Sequence, residues 1–254
     1  MTIQLFERTA VRNRLNRIMQ DTDLDREHPL PLRTELFLIA HDDDTGQCHV
    51  DRTRLERVLA AAVPLDLLRA ARVDVGVRFD PRGGRVVREP ERVAALGREP
   101  VGDPVTDSAL RMLWRNGGTM TVREFIGRLT DTGMYERVRA DLIASGMVHR
   151  VTYRKWGLFR RERYKVIHKS YAVRIRTRIR ELADTYWQDR ERGRYPQSRI
   201  AGLAVLVTLV GLARRLFPQD VSTNHVRHRL AQITEQYPDP AVRDVVAAFN
   251  RRNR

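Results

Sequence analysis

The sequence predicts a mainly α protein: a helical domain around a central apolar helix with two β-hairpins, one of them projecting and basic. Three observations predict it. The run Ile200–Ala213, IAGLAVLVTLVGLA, is apolar throughout. Two other stretches alternate apolar and polar residues around a turn, the period of a strand. Nearly everywhere else the apolar residues recur at three-and-four spacing, which lines one face of an α-helix.

Taken in order, residues 1–30 form a polar N-terminal arm, either a basic extension or a loosely attached helix, and residues 31–254 form one helical domain. PLRTELFLIA, from Pro31, reads as a short apolar helix entering the acidic turn HDDDTGQ. Leu55, Val58, Leu59, Ala62, Leu65 and Leu68 mark a helix with a kink at Pro64. Val73, Val75, Val77 and Phe79 alternate as a strand, and Pro81-Arg82-Gly83-Gly84 turns it back into RVVRE. Residues 90–103 read as loop with at most a short helix. Three helices follow, at 105–115, 121–129 and 134–145, with Asp103 or Thr106 as a cap and Gly146 as a stop. VHRVTYR and RRERYKVI then flank KWGLF as the second hairpin. SYAVRIRTRIRELADTYW alternates briefly like a strand, but Tyr171, Ile175, Ile179, Leu182 and Tyr186 keep helical spacing over a longer span, and the length decides for helix. The apolar helix, read as continuous over 200–217, and helices at 221–236 and 240–251 end the chain.

The apolar run Ile200–Ala213 is 14 residues long, about 21 Å as a helix, which falls short of the roughly 30 Å hydrocarbon layer of a bilayer. It reads as a buried core helix. The N-terminus lacks the apolar segment of a signal peptide, which argues for the cytoplasm. Cys48 stands alone, so there is no disulfide framework and no cysteine-based zinc site.

Charge is the unusual property. Lys and Arg number 47 against 32 Asp and Glu, a net +15, and a polyanionic partner is the default expectation, nucleic acid or anionic membrane. Between Val148 and Arg194 there are 15 cations and 5 acids, so two-thirds of the net charge sits in under a fifth of the chain. Enzyme signatures are lacking. HDDDTGQ contains the Asp44-Thr45-Gly46 triplet of aspartic proteases, but without flanking apolar strands it reads as a solvated turn. It also lacks the alternating oxygens and distal Glu of a calcium loop. His225 and His228 could share a metal on one helix face, but no third ligand is evident. No Gly-rich phosphate loop, G-x-S-x-G or H-E-x-x-H occurs, so neither catalysis nor a cofactor is expected.

Three short helices followed by a basic hairpin is also the order of a winged-helix DNA-binding module, in which Arg137 and Arg139 would lie on the recognition helix. The hairpin tip, Trp156, Leu158 and Phe159, bears on the choice between the two polyanions. Such side chains suit a membrane, where the aromatic ring sits at headgroup level and the apolar pair dips below it. Arg154, Lys155, Arg160, Arg161 and Arg163 would then meet anionic headgroups. A self-association contact is the other use for such a tip.

Several strings together resemble the Golgi phosphoprotein 3 family: ELFLIAHDDDTGQ, LERVLAAAVPLDLLRAARVDV, VGDPVTDSALRML, TVREFIGRL, RADLIASGMVHR, SRIAGLAVLVTLVGLARRLF and the ending VRDVVAAFNRR, in that family's order and spacing. The Arg-rich composition is similar to that of its bacterial, chiefly actinobacterial, members. The resemblance implies a helical fold around a central apolar helix, with a hairpin used in self-association through residues 148–167 and in membrane contact. Eukaryotic members bind phosphatidylinositol 4-phosphate as peripheral membrane proteins and help retain Golgi enzymes. The family's lipid pocket uses a tryptophan, an arginine in the next helix and two arginines three apart in a later one. This chain has Asp51, Ala60, Thr132 and Tyr135 at those places, so the pocket does not carry over. Arg54, Arg57, Arg137 and Arg139 lie near enough in sequence to form a rearranged anion site. The function expected is a cytoplasmic, non-enzymatic protein, peripheral at the inner face of the membrane and binding anionic lipid, with a winged-helix regulator as the alternative.

Overall fold

The computed structural model describes residues 30–80, 85–155, 159–167, 169–192, 198–217, 224–237 and 239–250. Among them ten helices surround two small antiparallel sheets, so the molecule is mainly helical.

The first helix, α1 (Leu32–Ile39), is buried on every side, including Arg33 and Glu35. Buried charges are tolerated only with partners. Arg33 donates to Asp66 Oδ2 at 3.2 Å and Thr106 Oγ1 at 3.0 Å, and it pairs with Asp103. The other oxygen of Asp66 accepts the Leu32 N–H at 3.0 Å. Glu35 is paired with Arg199.

Asp51 caps α2 (Arg52–Arg69) by accepting the Arg54 N–H at 2.9 Å. The helix runs unbroken through Pro64. Strand β1 (Val73–Asp80) pairs with β2 (Arg85–Ala95), which pairs in turn with β3 (Thr119–Thr121). Here the structure corrects the loop expected at 90–103, because β2 continues to Ala95 past a bulge. Val75 faces Val93 while Val77 faces Arg88, so residues 89–92 are extra on β2 opposite Gly76. Gly76 (φ 82°) and Glu91 (φ 63°) both take left-handed backbone there. The Glu91 N–H donates to Asp244 Oδ2 at 2.9 Å, and a Cβ on Gly76 would approach that same oxygen to 3.2 Å. A residue over 150 positions away thus completes a strand that its own sequence, interrupted by Pro90, conceals.

Helices α3 (Pro104–Arg115), α4 (Val122–Thr130) and α5 (Met134–Ala144) fall within a residue of expectation. Asp103 accepts the Thr106 N–H, and Thr121 accepts the Glu124 N–H, at their starts. Strands β4 (Val148–Lys155) and β5 (Phe159–Val166) form the second hairpin, and α6 (Lys169–Glu191) is the helix that length favoured.

The helix expected over 200–217 is divided. Helix α7 (Ser198–Val210) ends at Gly211, whose φ of 82° needs no Cβ, and a single turn, α8 (Ala213–Leu216), follows. Ala201 and Leu203–Val207 are fully buried, and α7 packs against α1, α2, α6, α9 (Asn224–Gln236) and α10 (Pro240–Asn250). Burying an aliphatic side chain contributes about 1.5–3 kcal/mol, so this helix is a main source of stability. Among the described residues no helix is long and apolar enough to cross a membrane.

Candidate functional site

The basic hairpin has a buried foot and an uncovered outer half. Met147, Val148, Tyr164 and Val166 are buried at the foot, where Val148 faces Val166. Farther out, Val151 is 43% exposed, Arg150, Thr152 and Glu162 are exposed, and Tyr153 and Arg163 are half-buried. No described side chain beyond Tyr164 is buried on either strand of this outer half. Arg163 lies 4.1 Å from the Tyr153 ring centre, Arg150 pairs with Glu162 at 3.4 Å, and the Tyr164 hydroxyl donates to Glu162 at 2.7 Å. Pairing extends to Lys155 opposite Phe159. Trp156 and Leu158 lie outside the described residues, and the side chains of Arg154, Lys155, Phe159, Arg160 and Arg161 lie outside the described side chains.

The acidic turn grips the foot of this hairpin. Asp42 Oδ1 accepts the N–H groups of Asp44 and Thr45 and the Thr45 hydroxyl, and these bonds hold its carboxyl below the usual range. Asp44 pairs with Lys169, and Asp43 with Arg176, both on α6. Gly46 (φ 65°) sits where a Cβ would come within 2.8 Å of the Tyr164 carbonyl. The string that looked enzyme-like therefore joins β5 to α6.

Asp51, Ala60, Thr132 and Tyr135, which the resemblance sets against a lipid pocket, have surroundings of their own. Ala60 is fully buried, Asp51 caps α2, and the Thr132 hydroxyl donates to Leu129 O at 2.7 Å. Tyr135, 5% exposed, lies 3.1 Å from His41 Nε2, while His41 Nδ1 lies 2.8 Å from Phe37 O. Burial lowers the His41 pKa to about 4 and pushes the Tyr135 hydroxyl up to about 12. Arg52 lies 4.6 Å over the Tyr135 ring, and Glu136 pairs with both Arg52 and Arg139.

The four arginines of the candidate anion site face different partners. Arg54 donates twice to Leu209 O, at 3.1 and 2.7 Å, at the end of α7. Arg57 donates to Phe249 O at 3.4 Å and lies 4.8 Å over the Phe249 ring in α10. Arg137 donates to Thr132 Oγ1 at 3.3 Å, and Arg139 lies 4.5 Å over the Tyr164 ring of the hairpin. These bonds bring Arg139 to the hairpin and direct Arg54 and Arg57 to helix C-termini.

A second cationic feature was not picked out from the sequence. Arg98, Arg111 and Arg115 line an open groove of about 300 Å³ with Leu110 and Trp114. The signal available was the spacing of Arg111 and Arg115, four apart on one helix face. His225 is bonded to Asp184 at 2.9 Å, and among the described residues no group of three His, Cys, Asp or Glu is placed to hold a metal ion.

No curated protein matches the chain. A family model described as Golgi phosphoprotein 3 matches residues 32–249, from the first residue of α1 to the penultimate residue of α10. The match therefore takes in every described helix and both sheets, the hairpin included, and the chain belongs to the Golgi phosphoprotein 3 family.

Proposed function

We propose that the protein is a non-enzymatic peripheral membrane protein that binds anionic lipid through the β4–β5 hairpin, at the cytoplasmic face of the membrane. The observation that carries this is the uncovered outer half of the hairpin, with Val151 43% exposed beside exposed Arg150 and Lys165. A two-stranded ribbon is marginal in water by itself, and an apolar, cationic one gains most from a surface that offers both hydrocarbon and negative charge. Trp156, Leu158 and Phe159 would enter the interface. Arg154, Lys155, Arg160, Arg161 and Arg163 would meet headgroups, each cation contributing about 1 kcal/mol. Membership of the Golgi phosphoprotein 3 family is consistent with a non-enzymatic, lipid-binding role. Phosphoinositide selectivity of the family's kind is not proposed, because Asp51, Ala60, Thr132 and Tyr135 stand where that pocket has a tryptophan and three arginines. Arg137 precedes the hairpin and adds to its positive field, Arg139 is paired with Glu136, and Arg54 and Arg57 serve helix ends.

The test is co-sedimentation with vesicles of phosphatidylcholine alone and with added phosphatidylserine, beside an electrophoretic shift with duplex DNA. Binding is expected to the anionic vesicles only, and it should weaken steeply as salt rises, because screening acts over about 8–10 Å at physiological ionic strength. Replacing Trp156, Leu158 and Phe159 together with Ser should reduce vesicle binding, self-association through residues 148–167, or both, with an unchanged circular dichroism spectrum. Equal binding to neutral and anionic vesicles, or a DNA shift without vesicle binding, defeats the proposal.

A further inference from the structure

The groove beside Trp114 lies between α3 and the segment that follows β2, remote in sequence from the hairpin. Its base is Leu110, 2% exposed, and its rim is Arg98, Arg111 and Arg115, all exposed. Trp114 is held from three directions. Its Nε1–H donates to Gly97 O at 2.8 Å, Arg98 lies 4.5 Å over the ring, and Gly118 (φ 74°) lies so close that a Cβ there would reach the ring at 3.3 Å. The ring is therefore a fixed platform that positions the Arg98 guanidinium. Arg111 and Arg115 stand one turn apart on the same face of α3, a like-charge pair that is unfavourable without an anion between them.

Arginine is so common in this chain, 44 of the 47 cations, that residue type carries little information. Placement carries more. Arg128, Arg139, Arg176 and Arg199 are matched to Glu124, Glu136, Asp43 and Glu35, while Arg54 and Arg57 bond the Leu209 and Phe249 carbonyls. In this groove no acid lines the wall, and no carboxylate among the described residues pairs with any of the three.

We infer that the groove is a binding site for a phosphate monoester. Three forked cations are balanced best by a group with about two negative charges and three terminal oxygens, each able to accept from a guanidinium. A carboxylate or a phosphodiester brings one charge and two free oxygens. The volume, about 300 Å³, is at the lower end of ligand sites and suits a small phosphorylated molecule. The monoester can belong to a soluble molecule or to a lipid headgroup. The inference does not depend on the hairpin.

The full chain is titrated with glycerol 1-phosphate by calorimetry, and with phosphatidylcholine vesicles containing either phosphatidic acid, a monoester, or phosphatidylglycerol, a diester. Glycerol 1-phosphate should bind, more tightly at pH 7.5 than at pH 5.5, because the second phosphate proton leaves near pH 6. Arg111→Gln with Arg115→Gln should weaken it at least tenfold, and the corresponding double Lys variant, which keeps charge but loses the fork, by less. Arg123→Gln with Arg180→Gln, exposed arginines on α4 and α6, removes the same charge and should leave it unchanged. The Ser triple variant of the hairpin tip should keep glycerol 1-phosphate binding even where vesicle binding is lost, so the two proposals fail separately. A preference for phosphatidic acid over phosphatidylglycerol that the Gln pair abolishes, with no soluble binding, supports a lipid as the source. No binding of either monoester, or equal weakening by both Gln pairs, overturns the site.

Discussion

His41 is held neutral by its surroundings, its pKa lowered to about 4 chiefly by burial. Its ring is stacked 4.2 Å from Phe37, and its nitrogens lie against Phe37 O and the Tyr135 hydroxyl. In the unfolded chain it would titrate near 6.5. Between those values the unfolded state binds the extra proton, so stability rises with pH across this window and is lost as pH falls from about 6.5 towards 4. His41→Gln should therefore show a smaller loss of unfolding free energy between pH 7 and pH 5 than the parent, by about 2 kcal/mol, in paired urea titrations. An identical loss in both would mean that His41 is not the group responsible. At Arg33 the effect is larger. Its 2% exposed side chain serves Asp66, Asp103 and Thr106 at once. Burial pushes the Asp66 carboxyl up despite Arg33. At Asp103 burial is outweighed by Arg33 and the Thr106 bonds, which hold that carboxyl low. Arg33→Met strands both acids and should cost about 3–5 kcal/mol by urea unfolding. A loss below 1 kcal/mol would show that the cluster reorganises.

The hairpin and the end of α7 are each fixed by a contact from elsewhere in the chain. The hairpin is held at its foot by the acidic turn, where Gly46 has both a left-handed backbone and no room for a side chain. Gly46→Ala should destabilise the protein by about 1–3 kcal/mol, and amide exchange should quicken at Tyr164 and Lys165 before it does in α7. If exchange at the hairpin foot were unchanged, the turn would not be its anchor. The end of α7 is treated in the same way, with Gly211 reversing the chain and Arg54 bonding the Leu209 carbonyl.

For the whole molecule, the two cationic features are mounted on a helical body, and the apolar helix α7 belongs to that body's interior. Membrane-bound protein should accordingly be released by high salt or carbonate without detergent. A requirement for detergent would mean that more than the hairpin tip enters the bilayer. Net charge, +15, makes attraction to any polyanion long-ranged at low salt, so the comparison of lipid with DNA is informative only near physiological ionic strength.

The sequence by itself determined what depends on short-range periodicity. Helices α3 to α6, the existence of both hairpins and the apolar α7 follow from spacings of two, three and four residues, which need no distant partner. The tertiary structure decided whatever depends on partners far along the chain. Strand β2 passes Pro90 because Asp244, in the last helix, bonds the Glu91 amide. The acidic turn is a clasp because Lys169, Arg176 and the Tyr164 backbone come up to it. Of the candidate arginines, Arg54, Arg57, Arg137 and Arg139 have partners on separate elements, whereas Arg98, Arg111 and Arg115 share one groove without an acid. An arginine's role is set by what lies within about 4 Å of its guanidinium, and in a chain with 44 of them that neighbour is chosen by packing, not by local pattern.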